Sequence, residues 1–596
     1  MRIFGALLVF AAFLCVSCGG KTDPEPENHV VMSLGKIVSS LDPVLCADIP
    51  GQSICAALYD TLLQYRYGGD SYALEPAMLE KIPVLSPDGK TLRCTLRDDL
   101  YFQEAPPFRS RAERKVTSRD VAFSLMRLAD ARLRSPCYWI VRGRIAGMTE
   151  FHALTGKAAP GDMKPYDAVV PGIRIIDDRN FELICEKAEP RLMYLLALPN
   201  CAVVSRTAAE FYGAADFAEK PCGSGPFRLV EWNRDYSIIM ERNPDFREEY
   251  FKDAEDPEMR KKRLPFADRI TCFLVRQPVS SWLMFLQGEL DFYALDDDHF
   301  QSIVDTDMKL ADALAARGIR LSYAPQMETN YIGFNFSDPV LGGNPDLRRA
   351  ISLAFDKDLR VMQSGGRFTK AYGPVPPGLP GSLGNEKGPF GEKDLVRAKE
   401  YLAKAGYPGG IDPKTGEPLV LTFDQPGTDV SYQQIAELMD NDLRAIGIAV
   451  KSNLNTRPRF QAKLASGDLQ LFRYSWVADY PDAENFLQLF YSPNAGGSNR
   501  ASYRNAAYDP MFRKIENLPD SPERTEKMRA MSRFLLEDCP WIFETHTMAF
   551  AVCHSWLKNF QLHDFALNRW KYLSAPVKER EEIRRTFRPL RMSELR

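Results

Sequence analysis

Apolar residues recur along this chain at three- and four-residue spacing in some segments and at every second position in others. The first spacing predicts amphipathic helices and the second predicts half-buried strands. Each predicted helix begins at a polar residue that can accept hydrogen bonds from free backbone N–H groups. Helices are expected to start at Thr117 (a capping box with Asp120), Asp346, Asp394 and Ser431, and Gly406, Gly447 and Gly467 are expected to end helices.

Strand patterns lie between these helices. Apolar runs are expected to form strands at 91–102, 227–232, 448–454 and 469–476. Helices that alternate with strands in one chain are typical of a layered architecture, so the predicted fold class is α/β.

The N-terminal residues form a separate apolar segment. After Arg2 comes an almost unbroken apolar run, 3–17, which is too short to span a bilayer comfortably and is typical of a signal peptide. A small residue directly before Cys18 resembles the lipobox of bacterial lipoproteins. This predicts removal of residues 1–17, lipidation of Cys18 and a lipid-anchored linker at 18–27. A simple signal peptide with an unmodified cysteine is the alternative.

Composition narrows the classes of protein that fit. The chain has 596 residues and a formal net charge of −3 with interspersed signs, which argues against a nucleic-acid binder. None of the cysteines after Cys18 lies in a C-x-x-C pair, so zinc and redox motifs of that kind are absent. Export permits disulfides, and a few bridges at most are expected, although spacing does not reveal their connectivity.

Two short segments raise the question of catalysis or metal binding. Residues 222–226 superficially resemble a nucleophile elbow, but Cys222 occupies the position of the first glycine, which favours a tight turn. The acidic run 296–298 with His299 fits a helix N-terminus as well as a metal site. The histidines show no metal-binding spacing such as H-E-x-x-H. The sequence also contains no Walker phosphate-binding loop and no G-x-G-x-x-G dinucleotide-binding motif. No catalytic residue, metal site or cofactor is therefore predicted.

The most informative stretch is SWVADYPDAENFLQLFYS, residues 475–492. It places Trp476 and Asp479 between an alternating apolar run and an aromatic segment. A catalytic carboxylate, a turn, and a charge that pairs with a cationic ligand would all produce this pattern.

Motifs along nearly the whole chain after residue 28 together resemble one family, and their order carries the resemblance. They are SLDP (40–43), LYDTLL (58–63), PDGKT (87–91), LRDDLYF (96–102), TSRDV (117–121), GSGPF (223–227), GELD (288–291), Asn335 in YIGFNF, LRRAISLAFD (347–356), AKAGY (403–407), the 475–492 stretch and YRN (503–505). The chain is similar to family 5 of the extracellular solute-binding proteins of ABC importers, the oligopeptide- and dipeptide-binding group.

The resemblance implies a two-lobed, hinged periplasmic-binding-protein clamp (type II-like, cluster C) with an additional domain. Domain I would consist of 28–66, 204–275 and 545–576, domain II of 67–203, and domain III of 276–544. The charged tail 577–596 is expected to be an exposed helix or a disordered extension.

The resemblance also implies a ligand site. In oligopeptide-binding members, the residue that matches Asp479 accepts the α-ammonium group of the ligand, and a carboxylate desolvated by lobe closure needs such a partner. The alternative is that Asp479 only caps a helix that begins near Pro481. Trp476 is expected to form either a wall of the ligand cavity or part of the core.

Further contacts to the ligand are implied on both sides of Asp479. Some members carry an Arg at the position of Arg473 that meets the C-terminal carboxylate of the ligand, and an outward-facing strand charge is the alternative. Backbone groups from Ser475 to Asp479 are expected to pair with an extended ligand as an added strand does. The backbone of Val38, Ser39 and Ser40 is expected to contribute in the same way.

The predicted function is the capture of short peptides by a monomeric receptor, lipid-anchored in the cell envelope, that delivers them to an ABC permease with ATPase subunits. The chain itself is expected to catalyse nothing. Nickel chelates and oligosaccharides are alternative ligands within the family. An exported hydrolase or a structural envelope lipoprotein is the alternative from another class.

Overall fold

The computed structural model describes residues 25–35, 38–69, 72–305, 307–588, 590 and 594–595. The predicted signal peptide, Cys18 and most of the predicted linker lie outside this part of the chain. Helices and strands alternate through the described residues, which confirms the α/β class.

The strands vary in length from three residues to fifteen. They are β1 (His29–Ser33), β2 (Leu63–Tyr65), β3 (Leu74–Pro76), β4 (Thr91–Thr95), β5 (Ile173–Ile175), β6 (Asn180–Ile184), β7 (Phe227–Asn233), β8 (Ser237–Arg242), β9 (Arg269–Phe273), β10 (Phe292–Ala294), β11 (Arg320–Phe334), β12 (Phe368–Lys370), β13 (Val420–Gln425), β14 (Ala449–Leu454), β15 (Leu471–Val477) and β16 (Trp541–Cys553).

The helices are α1 (Ile49–Leu58), α2 (Ser118–Leu128), α3 (Met148–Thr155), α4 (Leu192–Leu195), α5 (Arg206–Phe217), α6 (Pro278–Leu286), α7 (Asp297–Ile303), α8 (Asp312–Ala315), α9 (Pro345–Ala354), α10 (Lys357–Gln363), α11 (Leu395–Lys404), α12 (Val430–Arg444), α13 (Arg457–Ser466), α14 (Glu484–Leu487), α15 (Tyr508–Glu516), α16 (Pro522–Asp538) and α17 (Val577–Arg584). No helix of the described residues has both the length and the apolar character needed to cross a membrane.

The strands of the described residues form four sheets, one of which has only two strands. A four-stranded sheet has the order β1-β9-β8-β7, and a three-stranded sheet has the order β4-β6-β5. The largest sheet has the order β10-β16-β11-β15-β13-β14, and β12 also pairs with β16. Strands β2 and β3 form a separate pair. The 475–492 stretch therefore begins inside the largest sheet, at the C-terminal end of β15.

The strands of two sheets fall within single predicted domains. The four-stranded sheet uses strands predicted for domain I, and the three-stranded sheet uses strands predicted for domain II. However, β16 is continuous from Trp541 to Cys553, so it crosses the predicted boundary between residues 544 and 545. The division into three domains stays a prediction.

Helix starts follow the predicted capping chemistry with small shifts. The capping box of Thr117 and Asp120 is present at α2, and Asp394 caps α11. Two helices start two residues earlier than predicted because Asn344 and Asp429, rather than Asp346 and Ser431, accept the free N–H groups.

The predicted strand at 91–102 is shorter than expected. Ladder pairing ends with β4 at Thr95, and beyond it only isolated bridges remain, at Leu96 and Tyr101.

Apolar packing fixes the segment that follows β15. Phe486, Leu487 and Phe490 are fully buried. The ring of Phe490 lies 4.3 Å from that of Trp541, which in turn stacks on Tyr331 at 3.4 Å between centroids. Aromatic pairs of this kind bury large areas, so the chain after Asp479 is held against the sheet.

The C-terminal tail forms the predicted helix at Val577–Arg584, but this helix is not exposed on every face. Residue Arg580 of α17 is buried, forms an ion pair with Asp291 at 3.2 Å and donates a hydrogen bond to the carbonyl of His29. The expectation of an exposed helix or a disordered extension is wrong for this face of α17. A charged side chain faces inward here because it neutralises the buried carboxylate of Asp291.

Candidate functional site

Strand β15 has one paired edge and one that is mostly open. Along its whole length it pairs with β11, from Leu471 opposite Phe334 to Val477 opposite Glu328. On the other side, β13 pairs with it only at residues 471 and 472. From Arg473 to Val477, the backbone groups of this second edge have no partner strand within the described residues. An open edge of this kind can bind an extended peptide as an added strand.

A cavity of about 570 Å³ borders the open edge. Arg473, Ser475 and Val477 alternate along β15, so their side chains lie on one face of the sheet, and all three line the cavity. The remaining lining is largely polar and comes from β11, α10, α12 and α13, with Glu328, Asn330, Arg360, Asp429, Tyr432, Arg457 and Gln461 among its residues.

Asp479 lies just beyond the end of β15, where Asn485 holds it. The side-chain Nδ2 of Asn485 donates to Oδ2 of Asp479 at 3.2 Å, and its Oδ1 accepts from the backbone N–H of Asp479 at 3.1 Å. Asn485 is itself fully buried. Asp479 forms no ion pair with any residue that the structure describes, and the side chain that donates a hydrogen bond to it, Asn485, is neutral.

The setting of this carboxylate is electrostatically unfavourable for an anion. Burial raises the pKa of Asp479, and the hydrogen bond from Asn485 opposes that shift. The charge of Glu484 raises the pKa further, and the charge of Arg144 lowers it. The charge also reaches residues of predicted domain II, because burial and then the charge of Asp479 raise the pKa of the Cys137 thiol to about 12. A cation placed beside Asp479 would relieve the cost of desolvation.

The helix-cap alternative for Asp479 is wrong. The helix after the motif is α14, which begins at Glu484 with Ala483 as its N-cap residue. Asp482, not Asp479, accepts a hydrogen bond from the first helical N–H group, at 2.8 Å. Asp479 therefore has no capping role to explain its position.

Trp476 packs against the core, which is one of the two surroundings expected for it. Its ring is partly buried against the main apolar core, and its Nε1 donates to Oδ1 of Asn485 at 2.8 Å. The same amide thus orients both Trp476 and Asp479. Whether Trp476 also touches a ligand stays a prediction.

Arg473 lines the cavity but is already engaged. Its Nε and Nη2 form a bidentate pair with the buried carboxylate of Glu544, at 2.8 and 3.2 Å. Arg360 pairs with the same carboxylate at 3.0 Å, so two buried guanidinium groups share one counterion. Only Nη1 of Arg473 makes no hydrogen bond to the described residues. Arg473 is therefore not the outward-facing strand charge of the alternative.

The structure describes Val38, Ser39 and Ser40 but not the two residues before them. Val38 and Ser40 are buried and Ser39 is exposed. Neither Val38 nor Ser39 makes a backbone hydrogen bond to another described residue. No described backbone group therefore competes with an extended ligand for their N–H and C=O groups.

Two residues of this site were missed by sequence reasoning. Asn485 could have been noticed, because a polar residue before the apolar pair Phe486 and Leu487 stands out in the motif. Glu544 also interrupts the apolar start of β16, but nothing in the sequence connects it with Arg473, 71 positions earlier.

The other chemical candidates have plain structural roles. Asp296 accepts a hydrogen bond from the backbone of His299 at 2.9 Å and caps α7, as the helix N-terminus interpretation predicts. No group of three or more His, Cys, Asp or Glu side chains that could hold a metal ion occurs among the described residues.

Comparisons with known proteins agree with this architecture. The family model described as bacterial extracellular solute-binding proteins, family 5 Middle, matches residues 73–498. The chain is 24% identical to heme-binding protein A of Haemophilus influenzae, over 97% of this chain and 99% of that protein. It is 22% identical to the oligopeptide-binding protein OppA of Bacillus subtilis, over 87% of this chain and 88% of that protein.

A solved structure shows the same fold. The periplasmic binding protein DppA of Helicobacter pylori, associated with an ABC transporter and solved in complex with the peptide STSA, superposes with a TM-score of 0.70. The comparison covers 92% of this chain and 98% of that one, at 22% sequence identity. The predicted two-lobed binding-protein fold is thereby confirmed.

Proposed function

Because this chain belongs to family 5 of the bacterial extracellular solute-binding proteins, we propose that it captures short peptides and delivers them to the permease of an ABC importer. One observation carries the proposal: the open edge of β15 leads directly to a half-buried carboxylate that forms no ion pair with a described residue. A peptide supplies the two groups this arrangement lacks, a strand backbone and a terminal ammonium. The names of the relatives, which include oligopeptide- and dipeptide-binding proteins, support it.

The ligand would bind mainly through its main chain. Its ammonium group would meet Asp479, and its backbone would pair with the free edge at Ser475 and with Val38 and Ser39. Main-chain pairing gives affinity without reading side chains, so many peptide sequences would be accepted.

Arg473 is proposed to interact with the C-terminal carboxylate of the ligand through only part of its guanidinium group. Since Glu544 occupies its Nε and Nη2, only Nη1 can reach a ligand carboxylate directly. Arg473 would thus attract an anionic group into the cavity rather than form a bidentate pair with it.

The chain is proposed to act by binding alone, as a monomer, while the ATPase subunits of the importer supply the energy for transport. The experiment that tests the ligand class is calorimetry on wild type and Asp479→Asn with one peptide, in free and N-acetylated form. The variant removes the charge and keeps the shape. Loss of one partner of a buried pair should weaken binding by roughly 2–5 kcal/mol, about 30-fold to several-thousand-fold.

Acetylation of the peptide should weaken its binding to wild type to a similar degree. It should add little to the loss of affinity that Asp479→Asn already causes. Asp429→Asn is a matched control, because Asp429 lines the same cavity but caps α12. It should change stability little, because Asn caps a helix about as well as Asp, and it should leave the preference for free peptides unchanged. If free and acetylated peptides bound equally well to wild type, the proposed contact between Asp479 and the ammonium group would be contradicted. A neutral solute would then be favoured as the ligand.

The proposed location is the outer side of a membrane, with the chain held by lipid at Cys18. Cys18→Ser should move the protein from the membrane fraction to the soluble fraction and abolish labelling with a fatty-acid probe. Cys15→Ser should leave both unchanged, because Leu14 rather than a small residue precedes Cys15. Continued labelling of Cys18→Ser would contradict the proposed anchor.

A further inference from the structure

Two cysteine side chains meet beneath the segment that holds Val38 and Ser40. The sulfur atoms of Cys46 and Cys55 lie 3.2 Å apart, and the two residues are nine positions apart in the sequence. Both side chains are buried. This is the one sulfur–sulfur hydrogen bond among the ten described cysteines, all of which carry free thiols.

The local fold is built for this approach. Cys46 ends a 3₁₀ helix, Pro43–Leu45, and Cys55 lies on the inner face of α1. Gly51 faces the sulfur of Cys46, and a Cβ there would stand only 3.4 Å from it. A small residue at this position lets the first turn of α1 lie close to Cys46.

The two sulfur atoms also lie against the backbone of residues 40–42, next to the segment 38–40 that is expected to bind the ligand. The sulfur of Cys46 lies 3.3 Å from the carbonyl oxygens of both Ser40 and Asp42, and its single S–H can donate to either of them. The thiol of Cys55 donates to the carbonyl of Leu41 at 3.6 Å. Three successive carbonyls thus hold the two sulfurs together.

We propose that Cys46 and Cys55 form a disulfide in the exported protein. A sulfur–sulfur bond is about 2.05 Å long, so the two atoms need to approach by little more than an ångström. Each thiol loses one proton and one electron as the bond forms. The two electrons reduce an oxidant of the disulfide class, such as oxidised glutathione or a disulfide-exchange protein, to two thiols.

The compartment of the family and the burial of the pair define when the bond forms. Extracellular and periplasmic proteins meet oxidising conditions. Burial raises the pKa of the Cys55 thiol well above its ordinary value, which suppresses the reactive thiolate in the folded protein. The bond would therefore form as the exported chain folds, before α1 closes over the pair.

The bond would tie the ligand segment to α1. Between the two cysteines and Val38 lies Asp42, whose carboxylate makes a buried bidentate pair with Arg127, at 2.6 and 2.9 Å. Disulfide and ion pair together would fix the loop that presents the free backbone groups of Val38 and Ser39. The proposal stands on the sulfur geometry and does not depend on which solute binds.

Peptide mapping of the wild-type protein tests the bond. The full chain is recovered from an oxidising compartment, unfolded with a thiol-alkylating reagent and no reductant, and digested with trypsin. Both cysteines lie on one tryptic peptide, residues 37–66. We expect this peptide to be unalkylated and two hydrogen atoms lighter than the reduced form, and doubly alkylated after reduction. Cleavage before Asp48 should give two fragments that separate only with reductant.

Alkylation of both residues without reductant would overturn the proposal, as would a mixed disulfide of either residue with Cys137.

A second measurement compares the melting temperatures of Cys46→Ser, Cys55→Ser and the double variant. Each single variant should lower the melting temperature of oxidised protein by the same few degrees, and the double variant by no more. Cys272→Ser, at a buried cysteine without a sulfur partner, should act equally in oxidised and reduced protein. Single variants that behave like Cys272→Ser would contradict the bond.

Discussion

At the scale of single residues, Asp479 shows how a neutral neighbour can prepare a charged group. The amide of Asn485 binds both the backbone and the carboxylate of Asp479 and also fixes Trp476. It therefore selects one position of the carboxylate without neutralising it. A salt bridge to a protein cation would hold the group equally well but would compete with the ammonium of a ligand.

This arrangement predicts a pH dependence of peptide binding. Burial raises the pKa of Asp479 in the free protein, and only the ionised form attracts an ammonium group, so affinity should fall as pH drops through that raised pKa. It should fall again above about pH 8, where the peptide amine loses its proton. Asn485→Ala removes the hydrogen bond that lowers the pKa, so the acidic limb should move to higher pH.

Calorimetry across pH measures both limbs. Asn505→Ala is the control, because Asn505 donates to the carboxylate of Asp538 at 3.1 Å and lies outside the site. It should leave the profile in place. An acidic limb that stays unchanged in Asn485→Ala would show that Asn485 supports the fold without tuning Asp479.

At the scale of elements, the open edge of β15 arises because β13 leaves the sheet early. Pairing stops after Asp424 opposite Phe472, and the chain then turns through Pro426 toward α12. A proline has no N–H group to donate to a ladder, so the strand cannot continue there. The cavity occupies the space between the departing strand and β15.

An added ligand strand would have a signature of period two. Backbone N–H groups of alternate residues point to a neighbouring strand, so methylating them one at a time should weaken binding at every second position. Each lost hydrogen bond should contribute about 0.5–1.5 kcal/mol, and the methyl group adds a clash. Calorimetry on a set of singly N-methylated peptides of one sequence checks this. Uniform losses, or losses confined to side-chain changes, would contradict strand addition.

Sequence reasoning worked where the signal is local. Apolar spacing and capping residues located α2, α11 and α13, and the C-cap glycine Gly467 has the left-handed φ of +74° that such a position favours. The predicted place of Asp479, next to a strand end, also follows from local pattern. The engagement of Arg473 with Glu544 does not, because tertiary pairing across 71 positions leaves no spacing signal. The inward face of α17 was missed because its charge indicated solvent.

At the scale of the whole molecule, contacts cross between predicted domains II and III close to Asp479. Lys187 pairs with Glu516 at 2.7 Å, and the buried Arg191 lies 3.4 Å from Glu484. The carboxylate of Glu484 belongs to the helix that follows the Asp479 motif. Asp479 itself is half-buried. We propose that these contacts belong to a closed arrangement and that they separate when a peptide enters.

Closure should therefore be measurable as a change of shape that depends on Arg191. Small-angle scattering of wild type should show a smaller radius of gyration with saturating peptide than without it, as expected for rigid lobes that close on a hinge. Arg191→Ala removes the contact to Glu484 across the two surfaces, together with an ion pair to Glu189 inside predicted domain II, so the free variant should have the larger radius of free wild type or exceed it. Its affinity should fall about tenfold for each 1.4 kcal/mol of lost closure energy, and saturating peptide should still restore the compact form.

Arg93→Ala is the control, because Arg93 pairs with Glu182 inside predicted domain II. An unchanged radius of wild type with a peptide that binds would contradict the clamp, and an unchanged affinity of Arg191→Ala would exclude a role of this contact in closure.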